Sequence, residues 1–125
     1  MNLNQVTLPC SNLKRSIAFY KLLGLNLIVH SNDRYARFEM PDGDATLSIH
    51  YHEKIQNDLG AMIYFEIENL DGYCSFLEDN GVVFDEPPTD KPWLWREARL
   101  KDPDGNQLVL FYAGENRKNP PWRIE

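Results

Sequence analysis

The chain has 125 residues, 42% of them hydrophobic and 26% charged, which is the composition of a soluble globular protein large enough to bury a core. No apolar run approaches the roughly 20 residues of a membrane span, and a formal net charge of −6 argues against non-specific nucleic-acid binding. The opening residues, MNLNQVTL, lack a basic start followed by an apolar stretch, so a cytoplasmic location is expected, with Cys10 and Cys74 as reduced thiols.

Taken in chain order, Gln5 to Leu8 reads as a short strand. Asn12 is a helix N-cap, Leu13, Ile17, Tyr20 and Leu23 recur at helical spacing, and Gly24 ends the helix. Three strands follow: Leu25 to Val29, Tyr35 to Met40 after the polar turn at Ser31-Asn32-Asp33, and Ala45 to Tyr51 after the turn at Pro41 to Asp44. His52 to Gly60 is a polar linker. A second series then opens with a strand over Ala61 to Ile67 and a helix with Leu70, Tyr73, Phe76 and Leu77 on its apolar face, stopped by Gly81. Val82 to Phe84 is a short strand, and Glu86 to Asp90, with two prolines, breaks regular structure. Leu94 to Leu100 reads as a strand that places Trp93 and Trp95 on one side, Asp102-Pro103-Asp104-Gly105 as a turn, and Gln107 to Tyr112 as the last strand.

The two series superpose without a gap at a spacing of fifty-seven residues: Asn12-Leu13 falls on Asn69-Leu70, Phe19 on Phe76, and Gly24 on Gly81. A period this long predicts two copies of one βαβββ unit, an α+β fold in a single domain over 1–125, with modules 4–51 and 61–113 and a tail 114–125.

Alternation along the strands separates two faces. Val6, Leu8, Leu47, Ile49, Ile63, Phe65, Leu108 and Leu110 form an apolar face for the helices to cover, through Phe19 and Phe76 among others. The opposite face carries Gln5, Thr7, Ser48, His50, Met62, Tyr64, Val109 and Phe111. Polar groups set among aromatic and aliphatic ones are the lining of a small-molecule cavity, expected between the paired modules.

The opening strand followed by Ser11-Asn12-Leu13, the Ser16-Ile17-Ala18-Phe19-Tyr20 to Leu23-Gly24 helix, and the Asp102-Pro103-Asp104-Gly105-Asn106 turn before a final strand together resemble the vicinal oxygen chelate superfamily. That group includes glyoxalase I, extradiol dioxygenases and bleomycin-resistance proteins. The resemblance implies modules that curl into a cup-like mixed sheet with helices outside, assembled as a homodimer. In metal-using members four cup-facing positions supply His, Glu or Gln; the motifs place these on Gln5, Ser48, Met62 and Val109. Only Gln5 is a ligand type, so neither a metal nor another cofactor is expected.

Two residues are candidates for chemistry. His50 has a side chain that titrates near neutrality, and Glu66 lies further along the Met62–Tyr64 face. His52, two residues beyond His50, has no evident third ligand to complete a metal site. Gln5, Thr7, Ser48 and His50 are expected to give polar ligand contacts, and Met62, Tyr64, Trp93, Trp95, Val109 and Phe111 apolar or stacking ones. The function expected is sequestration of an aromatic or cationic small molecule. The alternatives are a glyoxalase-like lyase or isomerase, or dioxygenase-related enzyme, working through His50, Glu66 or an atypical metal site, and a structural or regulatory dimer.

Overall fold

A computed structural model describes residues 1–56 and 60–124. Residues 57–59 of the expected linker lie outside the described residues. The chain divides into two compact units, one over 1–60 together with 102–106 and the other over 61–101 and 107–125.

The first module runs β1 (Gln5–Cys10), α1 (Leu13–Leu22), β2 (Asn26–Ser31), β3 (Tyr35–Glu39) and β4 (Thr46–Tyr51). The second runs β5 (Met62–Glu66), α2 (Leu70–Asp79), β6 (Phe84–Asp90), β7 (Arg96–Lys101) and β8 (Gln107–Tyr112), followed by a 3-10 turn at Gly114–Arg117. Each module holds a four-stranded mixed sheet, in the order β1-β4-β3-β2 and β5-β8-β7-β6. The first strand of each module pairs in parallel with the last, and the other pairings are antiparallel. The duplicated βαβββ order predicted from the fifty-seven-residue spacing is the order observed.

The repeat extends to the helix ends. Asn12 accepts a hydrogen bond from the Arg15 N–H at 3.0 Å, and Asn69 accepts one from the Gly72 N–H at 3.2 Å, each satisfying a donor in its helix's first turn. At the other ends Gly24 and Gly81 take φ of 101° and 91°, the left-handed region where a Cβ is disfavoured. The following residues close the same pattern: the Leu25 N–H reaches the Tyr20 carbonyl and the Val82 N–H reaches the Leu77 carbonyl. Both helices therefore stop in a Schellman motif.

The helix-covered sheet face holds the core. Leu8, Leu47, Ile49, Leu108 and Leu110 are buried, together with Phe38, Ala36, Ala98 and Leu100 from β3 and β7. Burial of each large apolar side chain stabilises by roughly 1.5–3 kcal/mol. Helix α1 contributes Leu13, Ile17 and Tyr20, and α2 contributes Leu70, Cys74 and Leu77. This corrects one expectation: Phe76 is 49% exposed and does not cover the sheet. The buried stripe of α2 follows the 0, 4, 7 spacing of Leu70, Cys74 and Leu77, and Phe76 lies off that line, against Tyr73 with 6.2 Å between ring centroids.

Two further differences concern the second module. The segment from Phe84 to Asp90 is a continuous strand rather than a break. It is tolerated because β6 is the outer strand of its sheet, with one edge free of a ladder, and because its register shifts between Phe84 and Glu86 and again between Glu86 and Thr89, across the two prolines. Strand β7 begins at Arg96, not Leu94. Leu94 adopts φ of 68° and turns the chain, with the Leu94 N–H on the Lys91 carbonyl and the Lys91 N–H on the Trp95 carbonyl. Trp93 and Trp95 thus sit on a turn, not side by side along a strand. Among the described residues no helix is long and apolar enough to cross a membrane.

Candidate ligand-binding faces

The sheet face opposite each helix is built from alternate residues, and register decides which of them meet. In the first module Thr7 pairs with Ser48, and Arg37 of β3 pairs with the same Ser48 from the other side. The Thr7 and Ser48 hydroxyl oxygens are 2.6 Å apart, and Ser48 is fully buried. Arg37 donates from Nε to the Tyr35 hydroxyl at 2.8 Å. The Thr46 hydroxyl donates to Gln5 Oε1 at 2.8 Å. Burial acts to raise the Tyr35 pKa, but hydrogen bonds from Ser48, Arg37 and Gln5, with the positive charge of Arg37, outweigh it and hold the phenol below the ordinary tyrosine value. His50 faces the same way, with its ring centroid 6.5 Å from Tyr35. It is exposed, and its Nδ1 lies 3.3 Å from Nε2 of His52. This face is polar, and Thr7, Ser48, Gln5 and Tyr35 are all hydrogen-bonded on it.

The second module's face is aromatic. Trp95 stacks on Phe111 with centroids 4.7 Å apart and planes inclined by 19°. Tyr64 stands edge-on to both, at 5.9 Å from Trp95 and 5.6 Å from Phe111. Val109, Phe111 and Ala113 are buried, with Met62 and Trp95 packed against them. Tyr64 remains 43% exposed, so the aromatic cluster opens at one side. The Trp95 indole N–H donates to the Asn116 carbonyl at 3.2 Å, fixing the ring's plane.

Beside this cluster lies Glu97, only 1% exposed. Its carboxylate accepts from the Trp93 indole at 2.7 Å and from Arg99 Nη2 at 3.0 Å. The hydrogen bond to Glu97 raises the Arg99 pKa, which holds the guanidinium in its charged form. Arg99 Nε is buried with no hydrogen-bond partner among the described residues. The turn bearing Trp93 is also tied by Lys91, 2.5 Å from a Glu86 carboxylate oxygen.

Glu66 is engaged locally. Its Oε2 accepts from the backbone N–H groups of Ala113 and Gly114 at 2.8 and 2.9 Å, and Arg117 lies 3.8 Å from its other oxygen. It holds the start of the C-terminal tail.

The superfamily's metal positions do not suit a divalent cation here. In the first module Gln5 Oε1 already accepts from Thr46, and the Ser48 hydroxyl is bound to Thr7. In the second module Met62 and Val109 belong to the apolar cluster. Oxygen, imidazole or thiolate donors are what such an ion needs. Among the described residues no three His, Cys, Asp or Glu side chains gather at ligating distance.

Arg37, Glu97 and Arg99 are not among the residues that the sequence singled out. The signal is nonetheless present in Tyr35-Ala36-Arg37-Phe38-Glu39 and Glu97-Ala98-Arg99-Leu100. In both, apolar residues alternate with polar ones, so the polar side chains must share the helix-free face.

Comparison with known proteins agrees with the fold. The chain is similar to the Bacillus subtilis (strain 168) protein YraH, 28% identical over 89% of this chain and 98% of that one. It is also similar to the trivalent organoarsenical cleaving enzyme of Bacillus sp. (strain MD1), 27% identical over 97% of this chain and 81% of that one. Among solved structures, a glyoxalase/bleomycin resistance protein/dioxygenase from Nocardioides superposes with a TM-score of 0.81 at 20% identity, covering 100% of this chain and 90% of that one. A bleomycin-binding protein complexed with bleomycin superposes with a TM-score of 0.71 at 19% identity, covering 90% and 98%. The model of the Glyoxalase/Bleomycin resistance protein/Dioxygenase superfamily matches residues 2–110, and the chain belongs to that superfamily.

Proposed function

We propose that this chain is a small-molecule-binding protein that recognises a planar aromatic compound on the helix-free face of its second module. The observation that carries this reading is the Tyr64–Trp95–Phe111 cluster. A core needs no half-open ring at its edge, and Tyr64 leaves an aromatic flank uncovered beside a stacked pair. A flat ligand, neutral or cationic, gains roughly 0.5–2 kcal/mol from each ring it meets. The bleomycin complex among the structural neighbours shows that this fold can hold a small molecule. Recognition, not metal chemistry, also suits a face whose ligand positions are Met62 and Val109. A homodimer is part of the proposal, and sedimentation equilibrium tests it separately.

Tryptophan fluorescence provides the main test. In a background with Trp93 and Trp122 replaced by Phe, Trp95 is the sole indole reporter. Titration with a panel of planar aromatics, cationic and neutral, should produce saturable quenching by at least one class. For such a compound, calorimetry on the otherwise unaltered protein should show Trp95→Ala weakening binding by about tenfold, the equivalent of ~1.4 kcal/mol. If no compound binds more tightly than about 1 mM, corresponding to roughly −4 kcal/mol, the proposal fails.

A further inference from the structure

We propose a second and independent site: Arg37 and Tyr35 form an oxyanion-binding site on the helix-free face of the first module, suited to the carboxylate or phosphoryl group of an acidic small molecule. Arg37 is half-buried on β3. Arg15, Arg96, Arg99 and Arg117 each have a carboxylate within ion-pair distance. Among the described residues Arg34, Arg37 and Arg123 have none; Arg34 and Arg123 are exposed, whereas Arg37 is half-buried, with its guanidinium held through Nε by the Tyr35 hydroxyl and against the Tyr35 ring. The two terminal nitrogens of the fork, which pair bidentately with a carboxylate or phosphate, have no hydrogen bond to any described residue. A guanidinium drawn part-way out of water without an anion is costly, and an incoming oxyanion removes that cost.

The surrounding hydrogen bonds set the direction of Tyr35. Thr46 occupies the Gln5 carbonyl oxygen, which leaves the Gln5 amide to donate. Thr7 and Ser48 are linked hydroxyl to hydroxyl. Arg37 Nε donates to the phenol oxygen at 2.8 Å, and the nearby Ser48 hydroxyl and Gln5 amide add to the lowering of its pKa. An oxygen that accepts from its protein neighbours turns its own O–H outward. The result is an outward O–H beside a free guanidinium edge, two donors for one anionic group. The nearest carboxylate along β3 is Glu39, which is taken by the Asn26 amide at 2.7 Å. Opposite Tyr35 the strand carries His50, whose ring N–H is a further donor on this face. The competing explanation is a purely structural contact in which Arg37 stiffens the strand by lying on Tyr35.

Nitrogen-15 NMR of the whole chain separates the two, observing backbone amides and the arginine Nε–H signals. The probes are sodium acetate, inorganic phosphate and neutral acetamide, titrated at constant ionic strength. Saturable shifts of the Arg37 Nε–H and the β3 and β4 amides with acetate or phosphate, with dissociation constants below about 10 mM, and none with acetamide, are the expected result. Arg37→Gln should then weaken anion binding by about tenfold or more, Tyr35→Phe by less, and Arg37→Lys should retain part of it. A response to acetate alone assigns a carboxylate ligand, and one to phosphate alone a phosphoryl ligand. Shifts that stay linear, that acetamide reproduces, or that survive in a folded Arg37→Gln variant overturn the site. Because none of the probes is aromatic, failure of the Trp95 titration leaves this result readable on its own.

Discussion

Tyr20 and Asp102 show how much one side chain can hold. The Tyr20 hydroxyl donates to Asp102 Oδ2 at 2.6 Å, deep in the first unit, and the tyrosine is fully buried. Asp102 is an acceptor hub. It takes the backbone N–H groups of Asp104 and Asn106, both at 2.9 Å, and the Asn106 side-chain amide at 2.8 Å. The turn read from Asp-Pro-Asp-Gly is thus also a buried polar junction, whose distant partner no local turn signal reveals. Removing the phenol oxygen keeps the ring's packing but strips one donor from a buried carboxylate. Tyr20→Phe should therefore lower unfolding free energy by about 1–3 kcal/mol in urea denaturation. Asp102→Ala should cost more, because the two backbone donors and the Asn106 amide lose their acceptor together. Equal stability of Tyr20→Phe and the parent would mean that this hydrogen bond is offset by water.

Among the elements, the turn at 91–95 is the one that departs most from local preference. Leu94 holds φ of 68° with a Cβ present, and its side chain is exposed. A non-glycine residue there costs on the order of 1 kcal/mol, and a side chain that is half exposed gains little burial to offset it. Leu94→Gly should raise the thermal midpoint slightly, by at most about 0.5 kcal/mol in free energy after glycine's larger unfolded-state entropy is deducted. Differential scanning calorimetry checks this, and a fall in midpoint would show that the leucine side chain is needed where it stands. The same turn marks where sequence stops being informative. Asn12, Asn69, Gly24 and Gly81 carry cap chemistry in their side chains or their lack of one, so both helices are legible to within a residue or two. The apolar alternation of β1, β4, β5 and β8 likewise identifies the covered face. Leu94 gives no such signal, since leucine rarely turns a chain, and Pro87-Pro88 reads as a break because nothing local says that β6 lies at a sheet edge. On the candidate faces, alternation alone places Ser48 and Thr7 together. The Arg37–Tyr35 and Glu97–Arg99 pairs are harder to see, because each joins neighbours on a single strand by side-chain reach, which strand alternation permits but does not require.

At the scale of the whole molecule, the buried titratable groups define an alkaline limit to stability. Burial foremost, with the nearby Asp104 and Asp102 charges, pushes the Cys10 thiol from 9.0 up to about 11. Burial foremost, with Asp71 and Glu78, does the same for Cys74, also to about 11. Tyr20 moves further in the same direction, again mainly through burial and then through Asp102. In each case the fold favours the protonated form. The stabilising contribution is complete below the unfolded-state pKa and is lost as pH rises towards and through the folded value. Tyr35 runs the other way. Its lowered pKa favours the phenolate, so its contribution is present above the unfolded tyrosine value and disappears as pH falls through the folded one. One surface phenol only partly offsets three buried groups. Each thiol alone should cost about 2 kcal/mol by pH 10.5, since every tenfold difference in proton affinity between folded and unfolded chain is worth about 1.4 kcal/mol. Urea midpoints should hold level from pH 7 to 8.5 and fall steeply by pH 10.5. A Cys10→Ala, Cys74→Ala double variant, less stable at pH 7 through lost packing, should lose distinctly less over the same interval. Parallel decline of variant and parent would assign the alkaline loss to Tyr20 instead of the thiols.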